Sequence, residues 1–151
     1  MTLYELLLFV HILAAAVWVG GAVMLKVQSA HALKSDPNRA AELALETERV
    51  GTTLLMPASL ALLAGGLWLV FEGDWGFGPL WIKLGLGIYV VSAVSGAVLL
   101  GPLYKQVGEL RTERGPGDAE VTARLQRISN LSWIDLVLLV AAVFVMTVKP
   151  G

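Results

Sequence analysis

The run LYELLLFVHILAAAVWVGGAVML, residues 3–25, decides the fold. From Leu6 to Leu25 its only ionisable side chain is His11. A helix of about 20 apolar residues crosses a hydrocarbon core about 30 Å thick. Residues 3–25 therefore read as a transmembrane helix. They do not read as a signal peptide, because the first lysine, Lys26, follows the apolar run instead of preceding it, and the run outlasts a typical h-region.

Three further runs have the same character. Residues 50–71 carry no charge. Residues 80–104 carry Lys83 early and are uncharged from Leu84 to Tyr104. Residues 128–148 carry a single charge, Asp135. Sustained period-two alternation is missing, which disfavours a membrane barrel. The expected fold is all-α: one membrane domain over residues 1–151, an antiparallel four-helix bundle.

Composition agrees. Hydrophobic residues make up 56% of the 151-residue chain, charged residues 15%, and the mean hydropathy is +0.72. Soluble domains carry about a quarter charged residues. The net charge of −1 offers no basic field for a nucleic-acid backbone. The absence of cysteine excludes disulfides, thiolate metal sites, iron–sulfur clusters and covalently attached haem.

Basic residues set the direction. Residues 26–49 hold Lys26, Lys34, Arg39 and Arg49, and residues 105–127 hold Lys105, Arg111, Arg114, Arg124 and Arg127. These are nine of the eleven Lys and Arg residues. The positive-inside rule makes both segments cytoplasmic loops and puts both termini outside. The loops look partly ordered. Asp36-Pro37-Asn38 is a helix-start signal, so residues 39–49 read as a polar helix entering the second span. Asp118 suits the cap of a short helix over residues 119–128, after the breaker Gly115-Pro116-Gly117. On the other side, Trp75 and Phe77 in a short turn, with Trp68 and Trp81, resemble an interfacial aromatic belt.

Small residues spaced by four, such as Pro57, Ala61 and Gly65 or Ala93, Ala97 and Gly101, favour close helix packing or a dimer interface. Pro57 lacks a backbone donor and is expected to bend the second span near Thr53.

Ionisable groups at membrane depth are costly and each needs a reason. His11 lies roughly 12 Å below the outer surface at 1.5 Å per residue. At its level come Tyr89, Ala64, Gly65, Gly66, Ala141 and Ala142, and Trp18 continues its helical face. Small residues around a histidine leave room for a planar ligand, and imidazole is an axial ligand of haem iron. The same spacing fits a packed bundle in which His11 bonds Tyr89 or a backbone carbonyl. Lys83 reads as a snorkelling lysine or as an inward cation facing an acidic group. Asp135 reads as a carboxylate bonded to Ser132, Asn130 or a loop arginine, or as a proton or cation inlet from the cytoplasm. His31 reads as an exposed loop residue.

His11-Ile12, five residues, then Trp18-Val19-Gly20-Gly21 resembles the first span of an uncharacterised family of bacterial four-helix integral membrane proteins. That family is similar in turn to the copper-resistance protein D and HemJ-type protoporphyrinogen oxidase families. Leu80-Trp81-Ile82-Lys83-Leu84 resembles the lysine-containing helix start of those groups. The resemblance implies a multi-pass protein of the bacterial inner membrane. From HemJ-type proteins it implies haem b, with His11 matching the metal ligand and Lys83 the lysine. The chain departs from them in its long charged loops and in lacking a second intramembrane histidine. A sixth ligand would then be Met146, Lys83, the His11 of another chain, or none. Copper handling has poor ligand support without cysteine.

Two functions stand at this point. One is a haem- or porphyrin-binding redox protein using His11, Lys83, Tyr89 and Trp18. The other is a non-catalytic membrane subunit or scaffold that packs, as a homo-oligomer or against a partner protein. A small transporter using Asp135 is weaker, because paired broken helices are missing.

Overall fold

A computed structural model describes residues 2–151. Four long helices make the molecule: α1 (Leu3–Ser35), α2 (Pro37–Glu72), α3 (Leu80–Arg114) and α4 (Ala119–Val148). Each is long and apolar enough to cross a membrane, and no strand occurs among the described residues. They run up and down, so Thr2 and Gly151 share one end with the 73–79 turn. The other end carries nine of the eleven Lys and Arg residues.

Local chemistry explains where each helix starts. Thr2 and Glu5 form a reciprocal capping box: the Thr2 hydroxyl accepts from the Glu5 amide at 3.2 Å, and the Glu5 carboxylate accepts from the Thr2 amide at 2.8 Å. Asp36 serves two helices. Its amide donates to the Ala32 carbonyl, ending α1, and its carboxylate accepts from the Asn38 and Arg39 amides, opening α2 with Pro37 at the first turn. Asp118 caps α4 through the Glu120 amide at 2.8 Å. Gly115, at φ 89°, ends α3 in a conformation that L-residues rarely adopt.

The helices outrun the apolar segments that announce them. Residues 26–49 and 105–127 are mostly helical arms, broken only at Asp36 and at residues 115–118. The arms pack their own core from Ala32, Ala41, Leu43, Val107, Val121 and Leu125. Exposed ion pairs decorate their outside, among them Arg39–Glu46 at 3.4 Å and Arg111–Glu42 at 3.3 Å. Towards the terminal end the surface inverts, and large apolar side chains such as Phe9, Phe71, Val137 and Phe144 face outward. A polar-skinned end and an apolar-skinned shaft fit one molecule standing partly in water and partly in lipid.

Before Pro57, around Thr53 where a bend is expected, the helix widens instead of keeping its α-helical turn. A π-helical turn occupies Gly51–Leu55, closed by the Met56 amide on the Gly51 carbonyl. A second π turn, Ser95–Leu100, precedes Pro102. In both, the proline cannot donate to the preceding turn, and a wider turn takes up the mismatch.

Candidate functional site

The site is built on α1 and α2 where they cross most closely. Gly65 and Gly66 bring the α2 backbone against His11. A Cβ at Gly65 would stand 3.6 Å from the His11 Cβ, and one at Gly66 only 2.9 Å from its Cε1. The His11 Nδ1 lies 2.9 Å from the Leu62 carbonyl oxygen. A carbonyl only accepts, so Nδ1 is the donor. In the neutral ring that leaves Nε2 with its lone pair free.

This imidazole lies in the wall of a cavity of about 480 Å³ in the terminal half of the bundle. The volume falls within the range of about 300–1,000 Å³ usual for ligand and cofactor sites. The walls are almost wholly apolar and draw on all four helices. Trp18 and Tyr89 line it together, ring centroids 5.5 Å apart at 61°, an edge-to-face pair. Ala142 and Met146 come from α4. Trp75, Phe77 and Trp81 line the cavity's end beside the 73–79 turn, and the exposure of Trp75 and Phe77 makes that end its mouth.

The residues expected around His11 are thus largely brought together: Trp18, Tyr89, Gly66 and Ala142 share the cavity with it. The carbonyl partner that a packed bundle requires is also present, in Leu62. Met146, named as a possible sixth ligand, lines the same space. Lys83 stands apart: it is exposed and outside the cavity lining. Its place at the mouth is taken by Lys149, which the sequence reading passed over. The signal was there to use. With nine basic residues in the two arms, Lys83 and Lys149 were the two that remained.

Asp135 is half-buried and accepts a hydrogen bond from Ser92 of α3. The expected partners do other things. Ser132 donates to the Ile128 carbonyl at 2.7 Å, and Asn130 accepts from Gln126 at 3.1 Å. The reason is rotational: Asp135 points across to α3, whereas Ser132 turns back onto its own helix. The pair lies just beneath the cavity, since Tyr89 and Leu139, one turn from Ser92 and Asp135, line it.

Lys26 is buried, with 4% exposure. Its ammonium donates to the Ser129 carbonyl at 2.5 Å and hydroxyl at 2.8 Å, and lies 5.0 Å from the Trp133 ring centroid. A charge that closes an apolar run on paper is here satisfied inside the bundle by a neighbouring helix. His31 is exposed, as expected.

No group of three or more His, Asp or Glu side chains is placed to hold a metal ion among the described residues. A protein-family model described as predicted integral membrane protein (DUF2269) matches residues 5–150. No curated protein and no solved structure matches the chain.

Proposed function

The chain belongs to this family of integral membrane proteins, and on that premise we propose that it binds haem b or a related porphyrin in the terminal-end cavity and serves a redox role. His11 would hold the metal through Nε2. One observation carries the reading: an imidazole whose Nδ1 is committed to the Leu62 carbonyl at 2.9 Å stands in the wall of an apolar cavity of about 480 Å³. Ligating histidines have that arrangement, with the second nitrogen held by a carbonyl that fixes the ring.

The remaining residues have derivable tasks. Gly66 leaves space for the ring and Leu62 orients it. Trp18 and Tyr89 give an aromatic wall, edge to face, against which the apolar body of a ligand can pack. Met146 would offer a thioether in the same space, a donor type that haem proteins also use. When bound, the haem would supply one-electron chemistry.

The same reading places the protein in the bacterial inner membrane. The basic arms face the cytoplasm, and the cavity mouth faces the opposite side. The test of the ligand is spectral. Protein purified in mild detergent and titrated with haemin is expected to develop a saturable Soret band at one equivalent, and His11→Ala to lose it. A wild-type protein that gives no band, or a variant with an unchanged one, overturns the reading.

A further inference from the structure

The cavity is apolar through its depth and carries a cation only at its mouth. Lys149 lines the cavity there, and its ammonium lies 5.0 Å from the Trp75 ring centroid and 5.2 Å from that of Trp81. The two indoles are themselves perpendicular, 5.7 Å apart at 81°. Both distances fall within the range of about 6 Å at which an aromatic face attracts a cation. No carboxylate among the described residues lies within 4.0 Å of that ammonium. The backbone adds a second sign of placement. Lys149 holds a left-handed conformation, φ 50° and ψ 59°, at the C-terminus of α4, with its amide on the Val145 carbonyl at 2.9 Å. Glycine is the usual residue in that conformation.

An ammonium held between two rings keeps its N–H donors for a third party, because the rings attract its charge without accepting all three protons. A cation at the rim of an apolar cavity is the complement of an amphiphile with an apolar body and an acidic end. We infer that the ligand of this cavity carries a carboxylate that Lys149 binds at the mouth, while its apolar body lies inward towards His11. The inference rests on the porphyrin reading where the carboxylate belongs to the macrocycle. The same chemistry is offered by a fatty acid from the surrounding lipid. Lys83, exposed and outside the lining, takes no part.

The experiment compares acids with their esters. Wild type, Lys149→Gln, Lys149→Arg and Lys83→Gln are purified in mild detergent. Each is titrated with haemin and with its dimethyl ester, followed by the Soret band. Each is also titrated with a spin-labelled fatty acid and its methyl ester, followed by quenching of tryptophan fluorescence. Wild type is expected to bind the acid on the order of tenfold tighter than the ester, the scale of one charge-assisted hydrogen bond. Lys149→Gln is expected to lose that preference, and Lys149→Arg and Lys83→Gln to keep it. Equal binding of acid and ester by wild type, or a preference that survives in Lys149→Gln, overturns the inference. If Lys149→Gln does not fold, the wild-type comparison decides alone. A preference seen only with the fatty acid upholds Lys149 and assigns the carboxylate to lipid, while the missing His11-dependent band sinks the porphyrin reading separately.

Discussion

His11 donates through Nδ1 to the Leu62 carbonyl at 2.9 Å, and Gly66 is what makes the contact possible. Gly66 stands one helical turn after Leu62, at i+4, where a side chain would cover that carbonyl. The carbonyl has a second lone pair beyond its helical bond, and the imidazole uses it. One glycine on α2 thus sets the ring of a histidine on α1.

Gly66→Ala is therefore expected to displace the imidazole, since the added carbon would stand 2.9 Å from Cε1. Haem affinity should fall about 10–100-fold, the usual cost of losing the group that orients a ligating histidine. Gly20→Ala, with nothing within 4 Å of the added carbon, is the control and should bind as wild type. A haemin titration of both variants measures this, and equal affinities would contradict the assigned role of Gly66.

Ser92 and Asp135 join α3 to α4 below the cavity. Ser92→Ala leaves a half-buried carboxylate without its donor and should cost about 1–2 kcal/mol of stability. Adding Asp135→Leu should recover part of that loss, because no acceptor then remains unpaired. Unfolding in mixed detergent micelles reads both. Purely additive losses would show that the two side chains do not act as a pair.

Lys26 holds α1 to α4 through Ser129. Lys26→Met keeps the apolar stem but removes the donors, and Lys26→Ala removes both. The expected order of melting temperature is wild type, then Met, then Ala, with the first step worth about 1 kcal/mol. A methionine variant as stable as wild type would mean that the stem, not the ammonium, does the joining.

The direction of insertion is open to a clean test, because the chain has no cysteine. In sealed cells, a Glu113→Cys variant in the basic arm should resist a membrane-impermeant thiol reagent until the cells are opened. A Gly78→Cys variant in the 73–79 turn should react at once. The reverse pattern would invert the assigned orientation.

The architecture was legible because hydropathy reports burial in lipid directly: four uninterrupted apolar runs leave few folds open. Helix length was less so. Lys26 ends an apolar run, yet α1 continues to Ser35, since a lysine can bury its stem and find acceptors on Ser129. Around His11, spacing along each helix was enough to place Gly65, Gly66 and Tyr89 at one level, because depth follows from the rise per residue. Rotation about each helix axis is set by packing between helices. That is why Asp135 met Ser92 instead of Ser132, and why Lys83 turned outward. Lys149 was missed for a related reason. Its position depends on a left-handed helix end and on two indoles, Trp75 within the 73–79 turn and Trp81 just after it, where no hydropathy pattern fixes the geometry.

The central claim is that His11 supplies the axial bond to a haem in the cavity. It is tested most directly by removing the ring and giving it back. His11→Gly protein, loaded with haemin in mild detergent, should lack the wild-type Soret band and its reduced-state bands, and added free imidazole should restore them. A glycine variant whose spectrum matches wild type without imidazole would contradict the claim.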